Sequence, residues 1–264
     1  MVGGSSGSVG FLAMGDLASM EIASDEELRA RLAGAAGDAP IPEAARRALG
    51  LLRPSIALTS EGGPGCGRTR LGGLPPLPPQ IEWPAFGDRP LTLAAQLDCA
   101  ALSPLLGGEW PLPHDGLLLF FYDGTFGELN PKGECVLHVP GDAAERPAPP
   151  GTIVNPEFPL AAAVTPSLPV SFSRAASAFL EDLELVDCMD AVQALTDVLP
   201  QVDYRLLGWH DGGADGPDGH RTLLQLETVD GADWGEVVNI AYWIADEDLA
   251  AGGLDRAHYG IEVA

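Results

Sequence analysis

The stretch that decides the fold is Leu93-Ala94-Ala95-Gln96-Leu97-Asp98, followed after a polar interval by Gly116-Leu117-Leu118-Leu119-Phe120-Phe121-Tyr122. The chain uses this phrase again. Its second copy runs Leu223-Leu224-Gln225-Leu226-Glu227, then Trp234-Gly235, then Asn239-Ile240-Ala241-Tyr242-Trp243-Ile244. In both, a short apolar strand carries one glutamine and ends on an acid, and an aromatic-rich strand follows. A repeated supersecondary unit predicts a duplicated β-rich core, with residues 93–122 and 223–244 superposable and Gln96 and Gln225 at matching positions. The phrase locates an architecture and carries no chemistry of its own.

Outward from the repeat, Ser24-Asp25-Glu26-Glu27 is a capping box opening a helix that closes near Gly37. Pro42 opens a second helix at a first-turn position. Ser55 to Thr59 reads as a strand. From Gly62 to Pro90 the prolines deny ladder hydrogen bonds and predict irregular chain. Strands are expected at about 92–97, 116–122 and 134–139, then a Pro-rich surface connection from Pro140 to Pro169. Apolar residues at helical spacing from Ser177 to Leu199 predict the longest helix. Strands return at 204–208, 221–227, 237–245 and 257–263, with a short helix at Asp246 to Ala251. The expected fold is α+β, mostly β. It is a single domain built on an internal duplication, with N-terminal helices and one long central helix. That domain spans residues 24–264, with repeat copies at about 92–139 and 204–263, after a flexible Gly- and Ser-rich leader at 1–23. Met14 and Met20 are alternative starts.

Fourteen basic residues stand against 38 acidic ones, a formal charge of -24 over 264 residues. Such a balance excludes nucleic-acid binding, which needs clustered Lys and Arg, and disfavours an anionic membrane surface. It leaves a solvated acidic surface or attraction to a cationic partner. No apolar run reaches the roughly 18 residues of a membrane span. The N-terminus lacks the basic and apolar regions of a signal peptide, so a cytoplasmic protein is expected. Cys66, Cys99, Cys135 and Cys188 form no C-x-x-C pair. That pattern is neither a disulfide framework nor a zinc site, and no cofactor is expected.

Several ordered segments carry a resemblance. Arg70-Leu71-Gly72-Gly73-Leu74-Pro75 precedes Trp83-Pro84, Ala95-Gln96-Leu97, and Gly116 leading into Leu119-Phe120-Phe121. Leu206-Leu207-Gly208, Leu224-Gln225-Leu226, Trp234-Gly235, Tyr242-Trp243-Ile244 and Asp248-Leu249 follow in order. Together, over about residues 53–263, this set resembles the YwqG-like family of uncharacterised bacterial proteins. The resemblance implies a single mostly β domain with helical additions around an internal duplication, and it implies no activity. The chain departs from the family pattern at Trp209-His210-Asp211, where an aromatic-Pro turn is usual. It departs again at Glu236 and Val238, where Asp and Gly are usual; a β-branched valine resists positive φ.

Candidate chemistry is sparse. Gly62-Gly63-Pro64-Gly65-Cys66-Gly67-Arg68-Thr69 imitates a phosphate loop with Arg for Lys, but the following Arg70-Leu71-Gly72-Gly73 cannot make the required helix. Asp211 to His220, with His210 before it, offers Asp and His side chains for a metal. It lacks EF-hand spacing, and the Gly, Asp and Pro there read as a solvated turn that needs no ligand. No G-x-S-x-G elbow or recognisable histidine partner spacing is present. Cys99 and Cys135 read as core residues.

Gln96 and Gln225 each need a hydrogen-bond partner if buried, since an unmet amide costs about 1–3 kcal/mol. Either each bonds locally on an outer face, or both line one cleft with Arg70, Trp83 and Trp234 as a small-molecule or peptide site. Arg70 would then clamp a carboxylate or phosphate. Two functions stay open. One is a non-catalytic binding or interaction protein, of the immunity type, acting on a protein or small-molecule partner. The other is an enzyme of unknown reaction with its site between the repeats.

Overall fold

The computed structural model describes residues 25–60, 65–123, 135–212, 216–227 and 237–263. Ser24, the expected cap of the first helix, and the leader at 1–23 lie outside them. The first helices are α1 (Asp25–Asp38) and α2 (Pro42–Ala48), the latter with proline in its first turn as expected. Two more, α4 (Arg174–Phe179) and α5 (Leu185–Thr196), replace the single long helix expected over 177–199. Helical spacing continues across the break, so periodicity alone cannot reveal it. A turn from Leu183 N to Leu180 O and a two-pronged ion pair between Asp182 and Arg47 of α2 hold the break open. Leu32, Ala36, Ala45, Ala48, Ala191, Val192 and Leu195 recur three or four apart and pack the four helices into one apolar cluster.

All sheet pairings are antiparallel. The strands are β1 (Arg53–Thr59), β2 (Arg70–Leu71), β3 (Ala85–Phe86), β4 (Arg89–Pro90), β5 (Thr92–Asp98), β6 (Leu117–Tyr122) and β7 (Val136–Val139). They continue with β8 (Phe158–Pro159), β9 (Ala161–Ser167), β10 (Tyr204–Leu206), β11 (His220–Glu227), β12 (Val237–Ala245) and β13 (His258–Val263). Helix α3 (Cys99–Leu106) follows β5, capped by Asp98, and α6 (Asp246–Ala250) follows β12. One sheet has the order β13-β12-β11-β10-β1-β9 and the other β7-β6-β5-β2-β8, while β3 and β4 form a hairpin. The fold is α+β. The stretch expected to be an irregular connection contains β9, paired along its whole length with β1. Its Pro166 is tolerated because β9 is an edge strand.

The two sheets pack face to face. Ala95, Leu97, Leu118 and Phe120 from one meet Leu224, Leu226, Ile240 and Tyr242 from the other in a shared core. Phe120 and Tyr242 touch edge to face at 4.9 Å between centroids. The registers of the two sheets correspond. Arg70 lies opposite Gln96, and Arg205 opposite Gln225. One ladder shifts register between Leu93 and Ala95, the other between Thr222 and Leu224. Gly72 N donates to Ala94 O at 2.9 Å, and Leu207 N to Leu223 O at 2.8 Å. The chain then turns through positive φ twice in each, at Gly72 (58°) and Gly73 (75°), and at Leu207 (61°) and Gly208 (77°). That turn is why β10 stops at Leu206 rather than running to 208.

Side-chain alternation turns the residues between the core positions outward. On the five-stranded sheet these are Leu93, Leu117, Leu119 and Phe121, and they are sealed by Leu77, Leu91 and the half-buried Trp83 and Ile81. On the six-stranded sheet the corresponding β12 residues are Asn239, Ala241 and Trp243.

Candidate functional site

Arg70 and Gln96 meet as the sequence reading joined them, on the outward face of the five-stranded sheet. Gln96 is 1% exposed and Arg70 6%. Arg70 Nη2 donates to Gln96 Oε1 (3.2 Å), Leu74 O (2.7 Å) and Glu145 (3.0 Å), and Nη1 pairs with Glu157. Gln96 Nε2 donates to Arg68 O at 2.8 Å. Gly73 makes this possible, since a Cβ there would stand 2.5 Å from Arg70 Nη1. With its acceptors all inside the chain, this arginine is a fastener between the β2 turn and the segments carrying Glu145 and Glu157.

Gln225 sits on the outward face of the other sheet, so the shared core separates it from Gln96 and the two do not line one cleft. Its partner is Arg205, which the sequence reading missed. Arg205 donates to Ser55 Oγ (3.1 Å) and Asp211 Oδ2 (2.9 Å), while its Nε is buried without a partner among the described residues. Gln225 accepts from Asp211 N (3.2 Å) and donates to Asp211 Oδ1 and to Glu227 Oε1 (3.2 Å). The unusual Trp209-His210-Asp211 sequence thereby closes the turn after β10. Burial, and then the carboxylates of Asp211 and Asp203, push Glu227 up to about 7. Trp83 belongs to the sealing cluster, with its indole N–H on Leu91 O (2.8 Å) and its ring against Phe121. Trp234 lies outside the described residues.

The concave surface lies elsewhere, on the outward face of β12 and β13. Alternate residues Asn239, Ala241 and Trp243 of β12 and His258, Gly260 and Glu262 of β13 line a groove of about 410 Å³. Arg174 and His210 form its rim. Trp243 is the aromatic wall, with His210 edge-on at 4.9 Å. Gly216 lies against that ring, since a Cβ there would come within 2.3 Å of it. Asn239 donates to Glu262 at 2.5 Å, and its carbonyl oxygen is buried without a partner among the described residues. A second cavity of about 180 Å³ adjoins, sharing Arg174, His210, Gly216, Pro217 and Trp243 and extending to Arg53, Trp209, His220 and Arg221. The clue in sequence was the alternation Asn239-Ala241-Trp243.

The other sequence candidates resolve simply. After Thr69 comes strand β2, not a helix, and Asp98 takes the backbone N–H of Arg68 at 3.0 Å. Residues 62–64 of that loop, and 213–215 of the Asp/Gly loop, lie outside the described residues. Among those described, no group of three or more His, Cys, Asp or Glu is placed to hold a metal. Cys99 and Cys135 are buried in the core, and burial pushes both thiols up to about 12. No helix among the described residues is long and apolar enough to cross a membrane.

A comparison with curated proteins returned no match. The segment that starts immediately before Arg70, holds both Arg–Gln pairs and ends on the groove residue Glu262 does match a family model. Over residues 69–262 it fits a domain of unknown function (DUF1963), and the chain belongs to that family.

Proposed function

We propose that this protein is a non-catalytic binding protein whose ligand, a small molecule or short peptide, lies in the groove on the outward face of β12 and β13. The observation carrying this reading is the contrast between two corresponding sheet faces. By register, Leu117, Leu119 and Phe121 in one sheet match Asn239, Ala241 and Trp243 in the other. The first set is apolar and sealed by further hydrophobic side chains; the second is polar, small and aromatic, and though itself nearly buried it forms the floor of a groove. Aromatic walls with a few convergent polar groups are what a ligand site requires.

The same correspondence supports reading the two four-strand units, β2-β5-β6-β7 and β10-β11-β12-β13, as copies of one duplicated unit. In that reading the first copy became scaffold and the second kept a face that floors the groove. The YwqG-like order of motifs in the sequence is compatible with it. A non-catalytic role is favoured by where the shifted groups are. The core thiols are buried away from solvent, and Glu227 faces Asp211 and Gln225 rather than the groove lining.

Native mass spectrometry after incubation with a small-molecule and peptide extract tests the reading. The wild type retains a ligand that Ala241→Leu, which fills the groove, loses with its circular dichroism unchanged. Equal retention by Ala241→Leu refutes the placement, and turnover of the retained molecule refutes the non-catalytic role.

A further inference from the structure

Only 14 of the 264 residues are basic, yet three arginines converge on the 180 Å³ cavity at the end of the groove. Among the described residues lining it, Arg53, Arg174 and Arg221 with His210 and His220 face one carboxylate, Asp218. Asp218 is already engaged by Arg174 at 2.5 Å. Arg53 is the anomaly. Its Cζ lies 3.5 Å above the centroid of the Trp209 ring, and among the described residues its guanidinium makes no hydrogen bond or ion pair. Trp209 is a fixed platform, held by Nε1 on Leu51 O (2.6 Å) and by its backbone N–H on Ser167 Oγ (3.0 Å). Arg221 spends only its Nε, on Asp246 at 2.5 Å, among the described residues, leaving its two terminal nitrogens as donors. Burial, and then the neighbouring Arg221 charge, hold Arg53 below its ordinary value.

Arg174 is matched by Asp218 and Gly216 O and Arg221 by Asp246, whereas Arg53, with Asp246 only partly offsetting its burial, is gathered beside them with its fork unspent among the described residues. A planar guanidinium stacked on an indole is a preorganised fork for an oxyanion. We propose that Arg53, Arg221 and Arg174, over Trp209, form an anion subsite that takes one small oxyanion, a carboxylate or phosphate group, of the groove's ligand. The assignment of occupant rests on the groove reading above; the subsite itself stands on its own residues. The volume equals roughly six waters, enough for one such group and too small for a polyanion backbone.

Isothermal titration at constant ionic strength, using inorganic phosphate and acetate as probes, decides it. Wild type binds at least one of them saturably with one site. Arg53→Gln and Arg221→Gln each weaken that binding at least about tenfold, Arg53→Lys weakens it less, and Arg256→Gln, whose partner is Asp248, leaves it unchanged. Tighter phosphate identifies a phosphoryl ligand, tighter acetate a carboxylate. The proposal is overturned if neither anion binds saturably, or if Arg53→Gln and Arg221→Gln bind as wild type while remaining folded by circular dichroism. Ala241→Leu keeps the two readings apart. It should empty the groove and spare phosphate binding, so each reading can fail alone.

Discussion

Glu227 closes β11 with its carboxylate beside Gln225, Asp211 and Asp203. It is pushed from an ordinary 4.5 up to about 7 by burial first and by the two aspartates next. The native state therefore holds this proton more tightly than the unfolded chain does. Its contribution to stability is fully present below about pH 4.5, is lost as pH rises toward 7, and is flat above that. Taken at face value the shift is worth at most about 3 kcal/mol. Because the group is partly solvated, about 1–2 kcal/mol is the realistic figure. Glu227→Gln keeps the size and the acceptor for Gln225 Nε2 while removing the charge. Urea denaturation of both proteins at pH 4.5, 6, 7 and 8 isolates the effect, since the drift from the remaining acids is common to both. The variant should match wild type at pH 4.5 and exceed it by about 1–2 kcal/mol at pH 8. A variant equal to or weaker than wild type at pH 8 would refute the reasoning.

Gly72→Ala should destabilise by about 2–4 kcal/mol in urea, because φ is +58° and a Cβ there would lie 2.1 Å from Pro156 O; a loss under 1 kcal/mol would contradict the turn geometry. Arg70→Met should cost about 3–5 kcal/mol by removing a nearly buried cation from two glutamates, Gln96 and Leu74 O. Its ligand binding should not change if Arg70 is a fastener rather than a site residue. Iodoacetamide at pH 8 should label the half-buried Cys66 first, and Cys99 and Cys135 only on unfolding, as peptide mapping would show.

The β core was readable because its signals are local: two-residue alternation, and a lone glutamine in an apolar strand. Strand β9 escaped because Ala161-Ala162-Ala163-Val164-Thr165-Pro166-Ser167 lacks β-branched alternation and carries a proline, and only pairing to β1 makes it a strand. Arg205 escaped because its counterpart in the first half is followed by two glycines. Here Leu207 takes the left-handed conformation, which its identity conceals. The division of Arg70, Trp83 and Gln96 from Gln225 between two faces depended on sheet packing. So did the groove on the other face, since nothing in Asn239-Ala241-Trp243 says that Arg174, His210 and Pro217 will border it where Leu77 and Trp83 seal the first. Arg53 had no local sign at all, as its platform, Trp209, and its neighbour Arg221 are remote in sequence.

A cationic subsite inside a chain of charge -24 should respond to salt in an unusual way. Close contacts between an oxyanion and the guanidinium groups act over about 3 Å, well inside the screening length at any ordinary salt. Repulsion from the acidic surface acts over distances comparable to the Debye length, about 30 Å at 0.01 M and about 8 Å at 0.15 M. Raising salt across that range therefore removes more repulsion than attraction. Phosphate affinity, measured with chloride as the background anion, should hold steady or rise from 0.01 to 0.15 M rather than fall as it does for basic proteins. The same field discriminates by size: a polyanion is repelled along its whole length and can place only one group in the cavity, whereas a compact ligand meets the repulsion once. A steep loss of phosphate affinity with salt would mean that binding is governed by diffuse surface cations, not by the Arg53–Trp209 platform.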